Sequence, residues 1–169
     1  MPYRVCFVCS GNICRSPTAE AVFRRRLAEA GLADQVEVDS AGLGDWHVGD
    51  AADRRSVAAL RARGYPAWLH EAKQFRAADF AERDLVVALD AGHERDLRRL
   101  ARTAADRAKV RMLRSYDPAA AADPAGLDVP DPYYGGERGF EHVLDLVEAA
   151  CAGLLDEVRA ALPEEARPG

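Results

Sequence analysis

Most of what would take this chain out of the class of small soluble domains is missing. Its 169 residues include only 4 cysteines, too few for a disulfide scaffold. No apolar run approaches the ~18 residues of a membrane span, so no membrane partner is expected. The start MPYRVCFVCSGN lacks a cationic leader followed by an apolar stretch and a small-residue cleavage site, so secretion by the general route is not expected either. Basic charge is not in surplus: 23 Lys plus Arg stand against 28 Asp plus Glu, a net charge of −5, which argues against nucleic acid as the main partner. There is no internal repeat and no linker. With 49% hydrophobic and 30% charged residues, the chain is not a disordered one. The expectation is one cytoplasmic domain over residues 1–162 and a flexible tail over 163–169 (PEEARPG).

The cysteines that are present are crowded. Cys6, Cys9 and Cys14 fall within nine residues, and Cys151 stands alone. Cys6 and Cys9 spell C-x-x-C, the spacing of a redox pair or of half a zinc site, but no second C-x-x-C or paired His completes a tetrahedral shell. They fall on a predicted strand, where positions three apart face opposite ways.

Tyr3 to Val8 is a short apolar strand, and Cys9 to Ser16, with Gly11 and Asn12, reads as a loop. Ser16 is expected as N-cap and Pro17 as first residue of a helix with Ala21, Val22, Leu27 and Ala28 on its apolar face, closed by Gly31. Strands follow at Gln35 to Asp39, Asp84 to Leu89 and Val110 to Leu113. Helices are expected at Asp53 to Arg63, at Glu94 to Ala105 with strongly basic character, and at Phe140 to Leu162. Asp117 to Asp131 reads as a long surface loop, either a lid or a tolerated insertion. Strands alternating with helices imply an α/β domain with a parallel sheet covered on both faces, whose ligand sits beyond the carboxyl ends of the strands. The loop after the first strand lies there.

That loop is Cys9-Ser10-Gly11-Asn12-Ile13-Cys14-Arg15-Ser16. Bent by Gly11 and Asn12, it can aim consecutive backbone N–H groups at one point, and the following helix adds its positive end. A tetrahedral oxyanion fits there, with Arg15 forking two donors onto it. The same field favours a thiolate at Cys9 and makes it a nucleophile. A nucleotide-binding loop is excluded, because no Gly-Lys-Ser/Thr follows.

The segments VCFVCSGNICRSPTAE, VDSAG, LHEAKQF and DPYYGG together closely resemble the low-molecular-weight protein tyrosine phosphatases, from about Arg4 to Asp156. The resemblance implies a single domain with a four-stranded parallel sheet, helices on both faces and the phosphate-binding loop after the first strand. It implies phosphotyrosine-containing proteins as substrates, a phosphocysteine on Cys9, phosphate held by Arg15, inorganic phosphate as product or inhibitor, and no metal or cofactor. Asp131 matches the acid that protonates the leaving phenolate and then activates water. Ser16 matches a donor to the cysteine sulfur, Ser40 and His70 match residues that brace Asn12, and Trp46, His47, Tyr133 and Tyr134 match the rim of the cleft. Read without the resemblance, Asp131-Pro132 is a turn, Ser40-Ala41-Gly42 a strand end, and His70 a surface histidine.

Departures from the family pattern are also visible. Asp90-Ala91-Gly92-His93 carries histidine where the family often has Asn, and the loop Asp117 to Val129 is longer and richer in alanine. The basic helix reads as a solvated face or a partner surface. Cys14 shares the loop with Cys9, close enough in sequence for a reversible disulfide or only a packing role. Three other functions remain open. An arsenate reductase of this fold needs extra cysteines near residues 80 to 90, where this chain has none. An arginine phosphatase would carry Thr at the position of Ile13. A phosphoprotein-binding module without activity would lose Cys9 or Asp131 while keeping Arg15.

Overall fold

Four short strands, all parallel, carry the architecture in a computed structural model that describes residues 2–123 and 126–166. They are β1 (Tyr3–Cys9), β2 (Val36–Gly42), β3 (Leu85–Ala88) and β4 (Val110–Met112), in the order β2-β1-β3-β4. The helices are α1 (Arg15–Glu29), α2 (Arg54–Ala62), α3 (Ala91–Leu100), α4 (Ala104–Ala108) and α5 (Glu137–Ala161). Because β1 is central, its alternate side chains enter two separate cores. Val5, Phe7 and Cys9 join Phe23 of α1, Leu60 of α2 and Leu144, Val147 and Leu154 of α5, with Phe7 and Phe23 edge to face at 5.8 Å. Cys6 and Val8 join Phe75, Phe80, Val86, Leu97 of α3 and Met112 on the other face. Each such side chain contributes roughly 1.5–3 kcal/mol by leaving water. This is the expected four-stranded parallel sheet with helices on both faces. Cys6 and Cys9 lie in different cores, which separates the C-x-x-C pair.

The register sets the place of the site. Cys9 pairs with Gly42, and Val8 with Ala88, so the carboxyl ends of β1, β2 and β3 form one rim. Chain order reverses here: β1 is followed in space by β2 on one side and β3 on the other, the arrangement that opens a crevice in such sheets. Four parallel strands need three crossings, and α1, α2 and α3 supply them.

Several boundaries differ from the sequence reading. Helix α1 begins at Arg15 with no side-chain cap, so Ser16 is not the N-cap: its hydroxyl is engaged with Cys9 and Asn12 instead. Strand β2 runs on to Gly42 and so includes Ser40. The basic helix is two helices. Asp90 caps α3 by accepting from His93 N–H at 2.8 Å, and Thr103 caps α4 by accepting from Asp106 N–H at 3.0 Å.

The stretch after β4 is not a free surface loop. Leu113–Tyr116 and Pro118–Ala122 are 3-10 turns, and Arg114, Ala120 and Val129 are buried. Gly153 lets α5 approach this stretch: a Cβ there would lie 2.0 Å from the Tyr116 carbonyl oxygen. Leu162 closes the core at 5% exposure. Of the tail, Glu164–Ala166 form a 3-10 turn, and residues 167–169 lie outside the described residues.

Candidate active site

Strand β1 delivers Cys9 to the rim, and the chain then crosses over the end of β2. Leu43 N–H donates to Cys9 O at 2.9 Å and Gly44 N–H to Ser10 O at 3.0 Å. A Cβ on Gly42 would stand 2.9 Å from Ser10 O, so the crossing requires glycine. At Asn12 the backbone takes φ 60°, the one positive φ of a non-glycine among the described residues. Such a conformation costs roughly 1–2 kcal/mol. It is held from four directions. His70 Nε2 donates to Asn12 O at 2.6 Å, Lys73 N–H donates to Asn12 Oδ1 at 3.0 Å, and Asn12 Nδ2 donates to Ser16 Oγ at 2.8 Å and Ser40 Oγ at 2.9 Å.

The direction of the protons follows from these contacts. An amide nitrogen can only donate, so both serine oxygens accept from Asn12 and turn their own hydrogens away. Ser40 donates to Glu20 Oε1 at 2.7 Å, and Glu20 is fixed by Arg24 at 2.8 Å. Ser16 donates to Cys9 Sγ at 2.9 Å, and Ser16 N–H, in the uncapped first turn of α1, lies 3.4 Å from the same sulfur. Two donors and a helix N-terminus therefore converge on Cys9 Sγ. At Cys14, burial first, and then the Asp53 charge, push the thiol up to about 12. It stays protonated.

Arg15 is buried, and its guanidinium is pinned. NH1 donates to Asp90 Oδ2 at 2.8 Å and to Val129 O at 2.9 Å. NH2 lies 3.4 Å from His93 Nε2 and 3.8 Å from Asp131 Oδ2. Burial alone would raise the Asp90 carboxyl, but the His93 N–H, the charge of Arg15 and its hydrogen bond hold it below the usual carboxylate range. Asp131 is half exposed, and its Oδ1 accepts from Tyr133 N–H at 3.0 Å. It is thus both a turn residue and a carboxylate facing Arg15.

The segment carrying Asp131 is clamped from below. Val129 N–H donates to Leu89 O and Ala91 N–H to Asp128 Oδ1, each at 2.8 Å. Buried Arg114 donates to the carbonyls of Gly126 at 2.8 Å and Asp128 at 3.1 Å, and pairs with Asp123 at 2.8 Å.

Above the sulfur opens a cleft of about 280 Å³ lined by Cys9, Ser10, Gly11, Ile13, Cys14, Arg15, Trp46, His47, Asp131, Tyr133 and Tyr134. Tyr133 and Tyr134 stand edge to face at 4.9 Å, and His47 is 6.4 Å from Tyr133. Arg55 lies over the Tyr133 ring at 5.5 Å, and Asp53 N–H donates to Ile13 O at 2.8 Å, tying α2 to both walls. Trp46 and Tyr134 are 71% and 94% exposed and so offer apolar surface at the rim. A larger groove of about 720 Å³ follows the outer edge of β2, but it holds none of these reactive groups, and its Arg4, Arg24 and Arg83 are each paired with a carboxylate.

Of the residues singled out in the sequence, eleven meet in the cleft. Asn12 and Ser16 do not line it with their side chains: both are fully buried beneath the loop, with Ser40. His70 reaches Asn12 from outside the cleft. Glu20, Lys73, Asp90, His93, Val129 and Arg114 complete the site without any motif in the sequence to mark them. Asp90 left a signal, an acid directly after a buried apolar strand. A backbone carbonyl such as Val129 leaves none. Among the described residues no cluster of three or more His, Cys, Asp or Glu side chains could hold a metal ion.

The geometry has close counterparts. The family model described as low molecular weight phosphotyrosine protein phosphatase matches residues 4–164. A low molecular weight protein-tyrosine-phosphatase of Streptomyces coelicolor is 63% identical over 159 residues, covering 94% of this chain and 95% of the relative. Low molecular weight protein-tyrosine phosphatase A of Mycobacterium tuberculosis is 50% identical over 157 residues, covering 93% and 92%. The crystal structure of a protein tyrosine phosphatase from Entamoeba histolytica superposes with a TM-score of 0.87 at 32% identity, covering 94% of this chain and 98% of that one. A thiol-bearing loop between β1 and α1, on a four-stranded parallel sheet matched along nearly its whole length, places this chain in the low molecular weight phosphotyrosine protein phosphatase family.

Proposed function

We propose that Cys9, Arg15 and Asp131 carry out the family's two-step phosphoryl transfer in this chain. The Cys9 thiolate attacks phosphorus, the bond from phosphorus to the phenolic oxygen breaks, and Asp131 gives its proton to the departing phenolate. The Asp131 carboxylate then takes a proton from water as that water attacks phosphorus, the P–S bond breaks, and inorganic phosphate leaves. Arg15 and the N–H groups of the loop Ser10 to Cys14 hold the non-bridging oxygens in both steps. General acid and base help of this kind is typically worth ~10²–10⁴ in rate. The observation that carries the reading is the convergence of Ser16 Oγ and N–H on Cys9 Sγ at the floor of a cleft whose far wall is Asp131.

The substrate is a phosphotyrosine side chain in a protein. Its ring suits the apolar walls formed by Ile13, Trp46, Tyr133 and Tyr134, and the shorter stem of phosphoserine would leave its phosphate above the sulfur. A guanidinium would have to shed water beside Ile13, which disfavours phosphoarginine. The partners are phosphotyrosine proteins, and inorganic phosphate acts as product and competitive inhibitor. The working compartment is the cytoplasm, in keeping with four free cysteines. The folded unit is residues 1–162. Comparing kcat/KM on matched phosphotyrosine, phosphoarginine and phosphoserine peptides tests the assignment. Phosphotyrosine should lead, and a preference for phosphoarginine, or indifference to Ile13→Thr, would contradict it.

A further inference from the structure

His93 occupies the first turn of α3 and is 4% exposed, yet nothing in the reaction as described uses its ring. Nε2 lies 2.9 Å from Ser10 Oγ, next to the nucleophile in sequence, and 3.4 Å from Arg15 NH2. A guanidinium carries only donors, so a proton on Nε2 would confront an N–H across that short contact. The tautomer compatible with both neighbours has a bare Nε2 and its proton on Nδ1. Nδ1 lies 3.3 Å from Asp90 Oδ1, close enough for attraction though not aligned as a hydrogen bond. The charges acting on the ring are Arg15 of α1, Asp90 at the N-cap of α3, Asp96 within α3, and Asp131. The outcome of burial, acting first, and of the Arg15 charge is a ring that stays neutral down to about pH 4.

The five N–H bonds of Arg15 can then be assigned. Both on NH1 go to Asp90 and Val129, and one on NH2 goes to Nε2. Two remain, one on NH2 and one on Nε, and in a planar guanidinium these two make a fork. We infer that His93 is a positioning residue whose unprotonated Nε2 shares its one lone pair between the Ser10 hydroxyl at 2.9 Å and Arg15 NH2 at 3.4 Å, fixing the rotation of the guanidinium so that its free fork meets the phosphate. The inference rests on the reading of Arg15 as the phosphate-holding group.

Two substitutions separate acceptor from filler. His93→Gln keeps a carbonyl oxygen within reach of the Nε2 position, and His93→Leu fills the space with no acceptor. The probe is inorganic phosphate as competitive inhibitor, with kcat and KM for nitrophenyl phosphate alongside. His93→Leu should weaken phosphate roughly tenfold or more, the usual cost of losing a hydrogen bond to a charged group, and Gln should restore most of it. In an Arg15→Lys background, His93→Leu should add little. Equal losses from Gln and Leu, phosphate binding kept by Leu, or additive losses with Arg15→Lys would each overturn the inference. If Arg15→Lys alone bound phosphate like the parent, the underlying reading of Arg15 would fail first, and this one with it. The unaltered protein gives an independent readout. Nitrogen-15 shifts of the His93 ring near neutral pH should show Nδ1 protonated and Nε2 bare, and a proton on Nε2 would refute the assignment.

Discussion

Asn12 holds a left-handed backbone angle that most side chains avoid and asparagine tolerates best among them, and four hydrogen bonds from three separate segments keep it there. The sequence signalled the loop because Cys9, Gly11, Asn12 and Arg15 are chemically distinctive at close spacing. Ser40 and His70 were readable only through resemblance, because partners 28 and 58 residues away leave no local pattern. Asp131 has two readings, and kinetics separate them. If it protonates the leaving oxygen, Asp131→Asn should slow turnover of phenyl phosphate by roughly 10²-fold or more while an activated nitrophenyl ester loses far less in its phosphorylation step. Equal losses would leave Asp131 as a turn residue.

His93 gives a pH signature in stability. Burial and Arg15 lower its pKa from 6.5 to about 4. The unfolded chain therefore binds a proton between these values that the folded chain does not, so stability falls on acidification through that window, by up to about 3 kcal/mol. Melting temperature should drop between pH 6.5 and 4, and His93→Gln should flatten the curve; an unchanged slope would show that another group is responsible. Cys14 shares the loop with Cys9, and if its raised thiol gives up its proton as the sulfenic oxygen of an oxidised Cys9 leaves as water, a disulfide closes between them. Peroxide inactivation should then be thiol-reversible in the parent and not in Cys14→Ser, as peptide mass spectrometry and activity recovery would show.

Among elements, the helix over 94–105 and the loop over 117–131 were the hardest to read, for different reasons. The helix breaks where Thr103 caps α4, outweighing the helix formers around it, and it starts earlier than Glu94 because Asp90 caps it. The loop has no periodicity, and its order comes from Arg114, a residue type that gives no sign of burial in sequence. Since this arginine supports the segment that ends in Asp131, Arg114→Leu should lower stability by about 3 kcal/mol, the low end of the cost of breaking a buried pair because Asp123 is partly exposed. It should also reduce turnover more than it weakens phosphate, because Asp131 rides on the clamped segment, whereas Arg15 keeps its Asp90 partner if Val129 shifts. Chemical denaturation and phosphate inhibition of the variant check both, and a fully active, equally stable variant would show that the clamp is dispensable.

Across the whole molecule, the sheet was the most legible feature, because three crossings with helical periodicity between short apolar strands leave few alternatives to a parallel sheet. Its consequence is a rim where β1, β2 and β3 end together, with a thiol, a guanidinium and a carboxylate drawn from positions 9, 15 and 131 of the chain. The proposed chemistry turns on the bond that forms at that rim. With Asp131→Asn, which should slow the hydrolytic step, the enzyme can be quenched during turnover of nitrophenyl phosphate and its peptides mapped by mass spectrometry. The prediction is a phosphoryl group on Cys9 and no turnover by Cys9→Ser. A phosphoryl group on another residue, or undiminished turnover by Cys9→Ser, would contradict it.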